Sequence, residues 1–290
     1  MAESTLTASA LTAEQVQHIL IQPLEAQSVF LAAGPRIFDT NGSQVRIPKL
    51  GGPTAPGWIG ENTQIPSVDV SFDEIVLLPS TMQSVKTLTR FSNELARQSV
   101  VNLTTALQTR LVRDVATTID TALIAGAGDG ITTPKGLLNY AGVQTVNVAG
   151  TLSLDNLLDA WGLALAANVT MANLRFFLTP GTFTGLRKIK TTTGEYVLQA
   201  DPTADGVFRV WGVPVTVTPR IPITGTTSKV TQAVLADFGQ IAVARDLAPS
   251  VVVLSETFAD FDQLALRVVA RYDAAPMNAQ AVVRLDGIAA

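Results

Sequence analysis

The chain has 290 residues, a net charge of −4 and no cysteine. That excludes disulfides and thiol chemistry and argues against a general nucleic-acid binder, whose footprint is a basic stripe. Hydrophobic residues make up 47% of the chain and charged residues only 15%, against about a quarter charged in an ordinary soluble domain.

An isolated monomer of this composition is short of polar cover. Two origins are open: a large buried β core, or large apolar contacts with other subunits. The second is the favoured reading. No apolar run approaches the ~18 residues that span a bilayer. The opening MAESTLTASALTAEQ lacks the basic and apolar regions of a signal peptide.

In chain order, residues 1–45 read as an arm, with a short helix from Thr12 to Leu20 broken up by Pro23 and Pro35. Such segments are poorly ordered unless something ties them down. Residues 46–80 hold prolines at 48, 53, 56, 66 and 79 and glycines at 51, 52, 57 and 60. VRIPKL and VDVSFDEIVL on either side of the tip alternate as half-exposed strands do, which predicts a long β-hairpin around GWIGENTQIPS. A free hairpin is marginal in water, so this one should lie on another subunit. Trp58 at its tip has little core to join and is read as a contact residue, because Trp is favoured at interface hot spots.

Val85 to Phe91 alternates as a strand, and Asn93 to Gln98 suits a helix. Apolar residues then recur at Leu103, Leu107, Leu111, Val115, Ile119 and Leu123, a spacing that marks one buried helical stripe. Arg110, Arg113, Asp114 and Asp120 fall off or beside it. A helix over residues 99–125 would run about 40 Å, and Gly126, Gly128 and Gly130 stop it. Beyond it the pattern is α/β. Ser153 is a candidate N-cap for LDNLLDAWGLALAANV. LRFFLTP reads as a buried strand, PGTFTGLRKIK as a turn and short helix, and GEYVL, FRVWGVPVTVTP and KVTQAVLADF as strands. Trp161 and Trp211 lie in these patterned elements and are read as core. SVVVLSE and QLALRVVARYDAAP predict two antiparallel strands around the turn Phe258-Ala259-Asp260, and AQAVVRLDG a last strand.

Little here carries chemistry. The one histidine, His18, sits in the arm, which removes triads and zinc sites of the usual kind. Gly126-Ala127-Gly128-Asp129-Gly130 follows a helix rather than a strand, so it reads as a turn and not as a dinucleotide loop. Glu61, Asp69, Asp73 and Glu74 in the hairpin, with Asp260 and Asp262 in the distal turn, fall on exposed β edges rather than in the pocket a glycosidase pair requires. No catalytic, cofactor or metal site is expected.

The order of parts from Trp58 to Asn139 is distinctive. The GWIGENTQIPS loop precedes the strand SVKTLTRFS and the helix start NEL. A stretch free of Gly and Pro runs from Ser80 to Ala125, and GAGDGITTPKGLLN follows. This order resembles the major capsid proteins of tailed bacteriophages, as does the WGVPV centre of Phe208 to Pro219. The resemblance implies an α+β, Hong Kong 97-like capsid fold. Its parts would be an N-terminal arm (1–45), an extended β-hairpin E-loop (46–80), a peripheral domain with a long spine helix (81–128 and 246–276) and an axial domain (129–245 and 277–290). It implies a major capsid protein, not an enzyme, that self-assembles into hexamers and pentamers of an icosahedral head shell. The shell would enclose double-stranded DNA without sequence-specific binding. The protein would be assembled in the host bacterial cytoplasm and reside in the virion, with portal, scaffolding and decoration proteins as further partners, and without cofactor or membrane.

Inter-subunit contact candidates are Trp58, Glu61, Ile65, Pro66, Phe258 and Asp260. Some members weld their shells by isopeptide bonds between a loop lysine and an asparagine; Ile65 and Asp260 occupy those positions here, so no crosslink is expected. With only the arm before the loop, cleavage of a scaffolding extension is not expected either. An encapsulin-like nanocompartment shell with enzyme cargo is the alternative. A soluble enzyme is a third reading, opposed by the poverty of His, Cys and clustered acids.

Overall fold

The computed structural model describes residues 27–50, 57–65, 72–98, 103–198, 208–226, 228–246, 250–254 and 257–290. The expected helix from Thr12 to Leu20, with His18, lies outside them, as do Pro66 and Asp69.

The four-residue apolar repeat folds as one long helix. A short helix α1, Asn93–Gln98, precedes α2, Leu103–Ala125, which is about 35 Å long at 1.5 Å per residue. Leu111, Val115, Ile119 and Leu123 are buried and pack in one cluster with Phe30, Leu138, Phe238 and Leu266. Asp120 lies within the buried face rather than beside it, only 1% exposed. Its Oδ1 accepts from Ser28 Oγ at 2.5 Å and from the Phe30 N–H at 3.2 Å, and its Oδ2 accepts from the Val29 N–H at 2.9 Å. Residues 28–33, expected as the end of a loose arm, are therefore tied to the helix.

Gly126 ends α2. A Cβ there would stand 2.4 Å from the Ala122 oxygen, and one on Gly136 would stand 2.3 Å from Gly126 N. This close approach lets the Gly136 N–H and Asn139 Nδ2 donate to the Gly126 carbonyl at 2.9 and 2.8 Å. The segment after the glycines thus folds back onto the helix end and satisfies a carbonyl that would otherwise be orphaned.

The strands are β1 (Arg36–Thr40), β2 (Val45–Leu50), β3 (Phe72–Leu77), β4 (Val85–Ser92), β5 (Gln144–Gly150), β6 (Leu174–Leu178), β7 (Phe208–Val210), β8 (Val213–Val217), β9 (Val230–Asp237), β10 (Ile241–Asp246), β11 (Ser250–Leu254), β12 (Gln263–Ala270), β13 (Tyr272–Pro276) and β14 (Val282–Ala289). Six of them form a sheet in the order β5-β14-β9-β6-β8-β7. Successive strand residues face opposite sides. Phe177, Val234, Ala236 and Val282 join the cluster that holds α2, while Phe176, Leu235 and Val283 join a second cluster. That second cluster includes α3, Leu154–Ala166, and α4, Pro180–Arg187. Ser153 caps α3 in a capping box with Asn156. With both faces covered, the sheet is the middle layer of this region.

Two three-stranded sheets, β1-β10-β13 and β11-β12-β4, and the pair β2-β3 complete the order. Four expectations change. QLALRVVARYDAAP is two strands in different sheets, parted at Arg271. GEYVL is no strand: a single bridge joins Lys190 to Tyr196. Residues 36–40, assigned to the arm, form β1 in parallel register with β10. Trp211 is not core but 44% exposed in the turn between β7 and β8, while Trp161 is partly buried and packs against the second cluster. The loss of Trp211 from the core has a simple cause: FRVWGVPVTV breaks into a hairpin at Trp211-Gly212, and a residue at a hairpin tip has no face to bury.

Leu123, 1% exposed in the α2 stripe, has no room to collapse. Leu123→Ala is expected to cost about 2–5 kcal/mol, read by denaturant unfolding of the unassembled chain.

Candidate functional site

β2 and β3 pair in antiparallel register from Val45↔Leu77 to Leu50↔Phe72, as the alternating arms require. Away from its root the hairpin is bare. Leu50 is 66% exposed, Phe72 77%, Ile65 76% and Trp58 fully so. Glu61 is exposed beside them, in a tight turn that Asn62 completes with a φ of 61°. Burying one such large apolar side chain is worth roughly 1.5–3 kcal/mol, so these groups are a ready store of association energy.

The hairpin is aimed from its root. Leu77, Leu78 and Met82 are buried with Ala242, Ala244 and Ala275. Leu78 has a left-handed φ of 53°, which costs a residue with a Cβ about 1–2 kcal/mol. Its N–H donates to Asp273 Oδ2 at 3.0 Å, and the Ala274 N–H donates to Asp273 Oδ1 at 2.9 Å. Arg271 donates to the Pro79 carbonyl at 2.7 Å and to Asp246 at 3.4 Å. Tyr140 adds a hydroxyl bond to the Ala274 carbonyl at 2.8 Å. Desolvation holds the Asp273 carboxyl above its ordinary value of 3.8, against the pull of the two N–H groups and Arg271. Burial likewise raises Asp120, against its bonds from Ser28, Val29 and Phe30 and the nearby Arg220 charge.

Sequence reasoning missed Arg271 and Asp273. The signal that could have found Asp273 is a lone acid inside the apolar run RYDAAP, since a charge buried in a strand must be partnered.

Phe258 and Asp260 sit in a second protrusion, the turn between β11 and β12. The Phe258 ring is half-buried, 4.0 Å from the Arg90 guanidinium, and Asp260 is exposed. Asn93 pins the turn to the start of α1: its N–H donates to the Asp262 carbonyl at 3.0 Å and its Nδ2 to the Asp262 carboxylate at 2.5 Å. The structure thus brings Trp58, Glu61 and Ile65 together on one loop, and Phe258 and Asp260 together on another that belongs to a different sheet.

Among the described residues, no three His, Asp or Glu side chains cluster so as to hold a metal, and no helix is long and apolar enough to cross a membrane. Asp129 in the glycine-rich turn is engaged by its own loop. It accepts from the N–H groups of Ile131, Thr132 and Thr133, which hold it well below the carboxylate range. A cavity of about 350 Å³ beside α4 carries one charged side chain, Lys188, and so lacks the paired groups of acid–base catalysis.

A model of the phage capsid family matches residues 8–287. The capsid of a native GTA particle is similar over 92% of this chain and 90% of its own, at 20% identity and a TM-score of 0.71. A chain of Mycobacterium phage Cain is similar over 90% of both, at 15% identity and a TM-score of 0.69. One of Microbacterium phage Oxtober96 is similar over 86% of this chain and 84% of its own, at 16% identity and a TM-score of 0.67. No curated protein matches the chain in sequence. The fold is the mixed α+β, Hong Kong 97-like fold of these structures.

The raised Asp273 carboxyl sets a pH dependence. Stability that rests on its neutral form is present below 3.8 and lost as pH rises through the folded value. The gain in Tm on acidification from about pH 7 to about pH 4 is therefore expected to shrink in Asp273→Asn. Equal slopes in the two proteins would show that desolvation does not govern this group.

Proposed function

The chain belongs to the phage capsid family, and we propose that its copies lap these hairpins over one another to build the hexamers and pentamers of an icosahedral head. It is a major capsid shell protein. The observation that carries the finer reading is the bare hairpin: Trp58, Ile65, Leu50 and Phe72 project on a two-stranded ribbon that has no core of its own. In the assembled shell, Trp58, Glu61, Ile65 and Pro66 contact the next subunit, and Phe258 and Asp260 contact another at the distal turn. Residues 81–128 and 246–276 act as the peripheral part, and 129–245 and 277–290 as the axial part.

The shell encloses double-stranded DNA. A wall of chains each carrying −4 makes few phosphate contacts, whose strong salt dependence would hinder filling and release. Ile65 and Asp260 offer no amine and no amide, so the shell is held by non-covalent contacts. Portal, scaffolding and decoration proteins are the further partners that this reading assigns, with assembly in the host cytoplasm. The phage and GTA matches favour it over a compartment with enzyme cargo.

Deleting residues 50–66 is expected to leave a folded core and abolish closed particles in electron microscopy; normal particles would sink the hairpin assignment. Boiling intact particles in denaturant should release single chains of 30.6 kDa, whereas a covalent ladder would overturn the reading of Ile65 and Asp260. DNA, rather than a protein cargo, is expected inside purified particles.

A further inference from the structure

Trp211 stands at an exposed hairpin tip. With Gly212 it makes the two-residue connection between β7 and β8, and both have left-handed φ, 48° and 79°. Such turns favour Asn-Gly or Gly-Gly, and a Cβ at positive φ is strained. Nearly half of the indole still faces solvent at this tip, with Trp211 44% exposed. Arg187 at the end of α4 and Arg209 on β7 put two exposed cations at this edge of the sheet, and the exposed Lys190 follows α4. The Arg187 guanidinium lies 5.0 Å from the Phe208 ring, which sets the end of α4 against β7.

The half of the same sheet farther from β7 carries the complement, on the face that also bears α4. α3 packs on β5, β14 and β9, and β5 is the strand farthest from β7, roughly 24 Å away at five strand spacings. On its outer face Asp155, Asp159, Gly162 and Ala166 form one exposed stripe, flanked by the exposed Leu158 and Leu165. A Cβ built at Gly162 meets nothing within 4 Å. Among the described residues neither aspartate forms an ion pair.

We infer that these two faces meet between successive copies of the chain. The β7–β8 turn of one copy seats Trp211 against Leu158, Gly162 and Leu165 of the next, and Arg187, Lys190 and Arg209 face Asp155 and Asp159. This rests on the shell reading and names a contact within it. One pair of unlike, complementary faces joining successive copies makes a head-to-tail contact, which gives a ring where its rotation closes, as a hexamer or pentamer requires. An aromatic anchor in an apolar seat with a charged rim is the anatomy of an interface hot spot.

The test uses the full chain under conditions in which the wild type forms particles. Trp211→Asn suits the left-handed turn, so it should keep or raise the Tm of the unassembled chain while lowering particle yield about tenfold or more, as loss of a hot spot does. Reversing one face, by Asp155→Lys with Asp159→Lys or by Arg187→Glu with Lys190→Glu and Arg209→Glu, should lower the yield similarly. The two reversals together should restore it in part. Because the chain has no cysteine, Trp211→Cys with Gly162→Cys should give a ladder of disulfide-linked rings on oxidation. Wild-type yields from Trp211→Asn and from both single-face reversals would overturn the inference and leave the shell reading standing. A wild-type chain that forms no particles under any condition would overturn both.

Discussion

A ribbon without a core can be aimed only from its root, and here the root hangs on the joint between β12 and β13. The chain passes at Arg271 from one three-stranded sheet into another. Arg271 holds the Pro79 carbonyl and Asp246, while Asp273 accepts the N–H of Leu78. Two sheets and the hairpin therefore meet in one hydrogen-bonded knot. Because the groups are buried, removing one partner strands the other at a cost of about 1–3 kcal/mol. Leu78 is kept in its strained left-handed conformation by that same bond. The angle of the hairpin is thus set by side chains far from its tip.

Asp120 repeats the device. The segment Ser28–Phe30 and the root of the hairpin are each pinned by a buried carboxylate that accepts main-chain N–H groups. Main-chain donors cannot turn away as a side chain can, so each carboxylate fixes the path of the chain as well as its position. Both carboxyls bear the cost of desolvation, which the fold offsets with hydrogen bonds and the nearby Arg220 and Arg271 charges.

Much of the apolar surface left bare on one subunit lies on the hairpin, in Leu50, Trp58, Ile65 and Phe72, with more at Leu158 and Leu165 of α3 and at Phe261 of the distal turn. Apolar patches confined to protruding or edge elements serve association between subunits better than they serve the stability of one.

Where the pattern is local, the sequence was legible. The four-residue apolar repeat of α2, the Ser153 cap, the alternating arms of β2 and β3 and the glycine stop at Gly126 all follow from side-chain period and backbone allowance, which neighbours in the chain determine. The exposure of Trp58 and Ile65 was legible for a similar reason, since a Gly/Pro-rich loop has little core within reach. Burial was not. Asp120 looked like a flank of the helical stripe, and the segment Ser28–Phe30, which begins 92 residues away, makes it an interior group. Asp273 depends on Leu78, 195 residues away. Trp211 looked like core until its strand broke into a hairpin. The sequence by itself determined the elements, their order and the shortage of charge. Tertiary structure alone decided which acids are buried, which tryptophan faces outward and which way the hairpin points, because each depends on packing between segments that periodicity cannot connect.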